Sequence, residues 1–147
     1  MHTHMQIKQV QHGSDDYRGI LDMRHAILRR PLGLDWSDED LAAEAEQLHF
    51  GLFDDDDAPI ACVVIKLLGP DKAKLRQMAV AEPFRAMGNG RDLLQGVEAI
   101  LHARGIRRIE MDARKTAAGF YEKLGYHVEG DEFIQVTIPH QRMVKDI

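Results

Sequence analysis

Residues 74–113 constrain the fold more than any other part of this chain. Lys74-Leu75-Arg76-Gln77-Met78-Ala79-Val80 reads as a strand whose apolar alternation slips, the pattern of a β-bulge that frees backbone groups from the ladder. After a loop over 81–87, Leu93, Leu94, Val97, Ile100 and Leu101 trace the one-sided apolar stripe of a helix, with Gly105 placed to end it. Residues 107–113 form another strand, with Ile109 and Met111 on one face and Glu110 and Asp112 on the other. A helix between two strands requires a crossover, so the sheet is expected to be mixed and covered by helices.

The flanking sequence adds hairpins and further helices. Residues 5–11 alternate as a short strand, and Ser14 is an N-cap ahead of Asp15, Asp16 and a stripe of Tyr17, Ile20, Leu21, Ile27 and Leu28 that stops at Pro31. Residues 31–36 read as a loop. Ser37, Leu41, Ala45 and Leu48 then mark a shorter helix. Residues 49–53 and the nearly continuous apolar run 59–68 read as strands joined by Asp54-Asp55-Asp56-Asp57. Those aspartates lack the spacing, glycine and closing glutamate of a calcium loop, so they are expected to form a solvated turn. Ala117, Phe120, Tyr121 and Leu124 give a last helix ending at Gly125, and 126–128 and 133–138 are closing strands. With 147 residues and no repeat or linker, one domain over 1–147 is expected.

Composition narrows the function classes. Hydrophobic residues at 44% and charged residues at 29% suit a globular core and exclude a disordered chain. A net charge of -5 argues against a nucleic-acid binder and suits a cationic substrate mildly better. Cys62, the single cysteine, lies in the 60–68 apolar run and reads as a small buried hydrophobe. No run approaches the ~18 apolar residues of a membrane span and residues 1–4 lack the apolar core of a signal peptide, so a cytoplasmic protein without a membrane partner is expected. His2 and His4 supply too few ligands for a metal, and no metal is expected.

The chemistry is concentrated in Arg85-Ala86-Met87-Gly88-Asn89-Gly90-Arg91, between the irregular strand and the helix. Glycines there let backbone N–H groups approach a ligand, and the helix start adds unpaired amides and partial positive charge. Arg85 and Arg91 are unfavourable at such an end unless an anion lies between them, while Asp92 partly offsets them. Arg91-Asp92 after Gly90 supplies neither the lysine nor the hydroxyl of a P-loop, and Leu93 stands where a dinucleotide fingerprint needs its third glycine. A tight turn with no ligand remains the competing reading of Gly-x-Gly alone.

Arg85-x-x-Gly88-x-Gly90 resembles the Arg/Gln-x-x-Gly-x-Gly/Ala motif of the acetyl-CoA-dependent N-acetyltransferase (GNAT) superfamily, and 117–126, Ala-Ala-Gly-Phe-Tyr-Glu-Lys-Leu-Gly-Tyr, resembles its Ala-x-x-Phe-Tyr-Glu-Lys-Leu-Gly-Phe segment. The resemblance implies an α/β (α+β) domain with a mixed, mostly antiparallel sheet of about six or seven strands and about four helices. It implies acetyl-CoA as co-substrate, with backbone groups of Met78, Ala79 and Val80 on the pantetheine arm. Amides of Arg85, Ala86, Met87, Gly88, Asn89, Gly90 and Arg91 would hold the pyrophosphate. Tyr121 would be the general acid that protonates departing CoA thiolate, a role its neutral phenol suits. Arg114 departs from the Asn or Gln of many relatives and could reach a CoA phosphate or an acidic group on the acceptor.

A primary amine, small or peptidic, is the expected acceptor, attacking the thioester directly. His140, Glu132, Glu110 and His127 are candidate bases that the sequence does not rank, and Arg29, Arg30, Leu34 and Trp36 fall where the resemblance places acceptor selection. A sensor that binds acyl-CoA without turnover would need the same cradle but not Tyr121. The 133–138 edge could pair two copies as a homodimer.

Overall fold

A computed structural model describes residues 5–29, 44–85 and 87–147, apart from the Arg29 side chain. Strand β1 (Gln6–Val10) leads to helix α1 (Asp15–Arg24), whose start Ser14 caps by accepting from the Tyr17 amide at 3.2 Å. The helix does not run on regularly to its expected end: His25–Arg29 form a wider, π-helical turn. The expected loop over 31–36 and most of the expected helix after Ser37 lie outside the described residues. Within them, Glu44–Glu46 form a 3₁₀ turn, and Leu48, expected in the helix, opens β2 (Leu48–Phe53). Strand β3 (Pro59–Leu67) follows the acidic turn, in which Asp54 Oδ1 accepts from the amides of Asp56 and Ala58, both at 2.9 Å.

The expected single strand over 74–80 is two strands. β4 (Lys72–Leu75) and β5 (Ala79–Val80) both pair antiparallel with β3, Leu75 opposite Ile65 and Ala79 opposite Cys62. Between those pairs β3 has Val63 and Val64 while the other chain has residues 76–78. One extra residue bulges the strand, as its slipped alternation implied. A 3₁₀ turn (Glu82–Phe84), α2 (Asn89–Ala103), β6 (Arg108–Arg114), a 3₁₀ turn (Lys115–Ala117), α3 (Ala118–Lys123), β7 (His127–Val128), β8 (Phe133–Gln135) and β9 (Ile138–Asp146) complete the chain.

The fold is a mixed α/β sheet in the order β1-β2-β3-β4-β6-β9-β7, with β5 on β3 and β8 on β9. Its nine strands and three α-helices, counted among the described residues, exceed the expected strand number mainly through β5 and the terminal hairpin. Among the described strands only β4–β6 is parallel, the pairing that α2 bridges. Ile60, Ala61, Cys62, Val63, Val64 and Ile65 are all buried because β3 is covered on both faces. On one face α2 and α3 bury Leu93, Leu94, Val97, Leu101 and Tyr121 against Ile109 and Met111; on the other α1 packs Tyr17 and Ile20 against Phe53, Cys62 and Ala79. Cys62 is a core residue whose thiol burial pushes up to about 12.

The expected 133–138 strand is a correction of larger consequence. Val136 and Thr137 adopt positive φ, 51° and 62°, and turn the chain between β8 and β9. A two-residue hairpin turn needs that conformation, which β-branched residues rarely adopt, so the dipeptide Val-Thr carries a strand signal where the chain turns. The strand beyond it, β9, lies between β6 and β7 in the sheet.

Candidate active site

Beyond Leu75 and Met111 the parallel pairing of β4 with β6 stops, and β5 continues along β3 while β6 continues along β9. The sheet therefore parts, opening a cavity of about 270 Å³ lined by residues of the bulge, β6, α3 and the terminal hairpin. Ala81 donates to Ile60 O at 2.8 Å, so the backbone groups of Val80, one residue earlier, face away from β3. Its carbonyl accepts from Arg85 Nε at 3.0 Å.

At the neighbouring end of α2, Gly88 has φ 84° and provides no side-chain cap. Among the described residues none accepts from the amides of Asn89, Gly90 or Arg91, and the first backbone bond of the helix is Asp92 N to Gly88 O at 3.0 Å. Gly90 is closely approached: a Cβ there would lie 3.2 Å from Val80 Cγ2, 3.3 Å from Phe120 Cζ and 3.4 Å from Met78 Cε. Met78 thus borders both the helix start and the cavity. Asn89 is buried and donates to Phe84 O at 3.3 Å, fastening the preceding turn, while Arg85, Met87 and Arg91 are exposed. Ala86 lies outside the described residues, as do Arg30, Leu34 and Trp36.

Tyr121 lines the cavity from α3 and is buried, its ring 5.1 Å from that of Phe120. Burial pushes its phenol well above the ordinary tyrosine range, and its hydroxyl makes no hydrogen bond to a described residue. Arg114 also lines the cavity, with its guanidinium donating to Leu28 O at 3.1 Å, so it ties β6 to the turn after α1. Of the four candidate bases only His140 lines the cavity. Glu132 pairs with Lys115 at 2.8 Å, Glu110 with Arg142 at 2.6 Å, and His127 is exposed on β7. The cavity's described ionisable lining includes Lys74, Arg76 and Arg114 against Asp112, so its local charge is opposite in sign to that of the whole chain.

Sequence reasoning missed Gln77 and the residues behind it. Gln77, in the bulge, accepts from Arg24 Nε at 3.1 Å and also from Nη2. Arg24 in turn donates to Glu44 from Nη1 at 2.8 Å and from Nη2 at 2.7 Å, and Tyr17 donates to the same carboxylate at 2.9 Å. An arginine in a helix stripe carries no signal that it is buried; only its partners twenty positions on make that tolerable.

His49 Nε2 meets Glu44 O at 2.8 Å, leaving Nδ1 buried without a partner. Burial lowers its pKa, the Glu44 carbonyl and charge only partly opposing, because a proton on Nδ1 would have no acceptor. For Glu44, burial raises the pKa but the Arg24 hydrogen bonds and charge outweigh it, and the carboxyl is held below the usual range. Both groups have depressed folded values, so both stabilise the fold above their ordinary pKa values and lose that contribution as pH falls. The first loss begins below the ordinary histidine value of 6.5. Urea titrations at about pH 7.5 and about pH 5.5 are expected to show a fall in stability that shrinks in His49→Gln, which keeps a donor for Glu44 O and does not titrate. An unchanged fall in the variant would show that His49 is not its source.

A sheet parted beside an uncapped, glycine-flanked helix start leaves an open cleft next to unpaired amides, an arrangement whose physical chemistry suits an anionic group. The chain belongs to the acetyltransferase (GNAT) domain family, whose model matches residues 35–147. A provisionally named acetyltransferase of Bacillus subtilis (strain 168) is 28% identical over 145 residues, 96% of each chain, whereas three other bacterial relatives match over only about half their own length. Among solved structures, a provisionally named N-acetyltransferase from Lactobacillus plantarum superposes with TM-score 0.86 at 22% identity over 97% of each chain. A GNAT family acetyltransferase from Elizabethkingia anophelis with acetyl-CoA bound has TM-score 0.74 at 14% identity, covering 97% of this chain and 98% of that one. No described helix is long and apolar enough to cross a membrane.

Proposed function

We propose that the chain transfers the acetyl group of acetyl-CoA to a primary amine by direct attack on the thioester. The observation that carries this reading is the continuity of the site: Met78 and Phe120 border the α2 start, and Met78 and Tyr121 line the cavity where the sheet parts. The residues fit the co-substrate. Amides of Gly88 to Arg91 would take the pyrophosphate, with Arg85 and Arg91 adding charge at the rim, and the outward backbone of Val80 would take the amides of the pantetheine arm. When bound, acetyl-CoA supplies an activated acyl group with a thiolate leaving group.

Tyr121 donates to that leaving sulfur. Its hydroxyl is uncommitted, and the burial that keeps it protonated also raises the proton affinity of a thiolate leaving into the same surroundings. The test is calorimetric titration with acetyl-CoA of wild type and of the Arg85→Ala, Arg91→Ala double variant. Saturable binding is expected, weakened about 10- to 100-fold in the variant by loss of hydrogen bonds to charge. No binding to wild type would end the acyltransferase reading, and binding without amine-dependent thiol release would favour the sensor.

A further inference from the structure

The described lining of the cavity contains one imidazole, that of His140 on β9. It is 6% exposed and lies opposite Arg114 of β6 and Phe133 of β8 in the ladders. The Phe133 ring stacks on it, centroids 5.9 Å apart and planes at 25°. Nδ1 stands 2.7 Å from Ile138 O. A carbonyl oxygen only accepts, so Nδ1 carries the hydrogen and the lone pair of the neutral ring falls on Nε2. No described residue bonds Nε2. Stacking and a short hydrogen bond hold the ring, and the nitrogen they leave unclaimed is the basic one.

The charged groups around it have other duties. Lys74 of β4 pairs with Asp112 of β6 at 3.0 Å, Arg76 of the bulge donates to Gln47 at 3.0 Å, and Arg114 of β6 donates to Leu28 O. From α3 comes Tyr121, and β8 contributes the uncharged Phe133, Ile134 and Gln135.

We propose that His140 is the general base of the transfer, a role that rests on the amine-acceptor reading above. The amine nitrogen bonds to the thioester carbonyl carbon and gives its proton to Nε2. The C–S bond breaks, its electron pair leaves on sulfur, and sulfur takes the Tyr121 proton. The proton on His140 then returns to the Tyr121 oxygen through solvent, which resets both groups.

Two variants test it, read as thiol release with spermidine, glucosamine and an alanine-ended peptide as probe amines. His140→Asn keeps an N–H for Ile138 O and removes the basic nitrogen; His140→Ala opens a space for added imidazole. Acetyl-CoA affinity by calorimetry and KM are expected to stay near wild type while kcat falls about 100-fold or more, with the ascending limb of its pH profile lost. Imidazole is expected to restore part of the rate to His140→Ala. An Asn variant that keeps both kcat and the limb overturns the assignment and leaves amine transfer standing, and so does a wild type with no ascending limb. A wild type that binds acetyl-CoA yet acetylates none of the probes overturns amine transfer itself and this role with it.

Discussion

Tyr121→Phe is expected to lower kcat about 10²- to 10⁴-fold, the usual contribution of a positioned proton donor, while acetyl-CoA binds as in wild type. The variant removes one oxygen from a ring that is otherwise held by packing: Phe120 and Tyr126 meet it edge-on at 5.1 and 5.9 Å. Because the hydroxyl bonds no described residue, its loss leaves no buried partner stranded and costs little stability. Stability and affinity therefore serve as internal controls. Equal kcat in both proteins would remove Tyr121 from the mechanism and leave it a core residue of α3.

Arg24→Ala is expected to destabilise the protein by about 3–5 kcal/mol, read from denaturant midpoints, because it strands a buried carboxylate. Arg24 and Glu44 are 0% and 2% exposed, so neither can turn to water for compensation. Replacing both by leucine is expected to cost much less than the single change, since no uncompensated charge remains. If Arg24→Ala proved neutral, the pair would not be a structural joint. The same variant frees Gln77, the bulge side chain that Arg24 holds, so acetyl-CoA affinity is expected to weaken with stability.

The parts of this architecture legible in the sequence were those written in periodicity and glycine placement. Leu93, Leu94, Val97 and Leu101 signalled α2, and all are fully buried. The slipped alternation at 74–80 signalled the bulge, and Gly88 and Gly90 the helix start. Strand β9 was illegible because Pro139, His140, Gln141 and Arg142 look like a loop; its pairing with β6 and β8, rather than propensity, makes it a strand. The hairpin turn hid in the strand-like dipeptide Val136-Thr137. His140 could be named from sequence as one of several bases but not chosen, since only the fold brings it to the same cavity as Tyr121. Arg114 lines the cavity, and its bond to Leu28 O across 86 positions is outside what local pattern encodes.

The Arg24–Glu44 joint makes the bulge a shared property of distant parts of the chain. It clamps two points 20 positions apart to each other and, through Gln77, to the sheet. Tyr17, Arg24, Glu44 and Gln77 thereby form one network, so a fault at any one of them leaves the others with fewer partners, and the bulge depends on side chains remote from it in sequence.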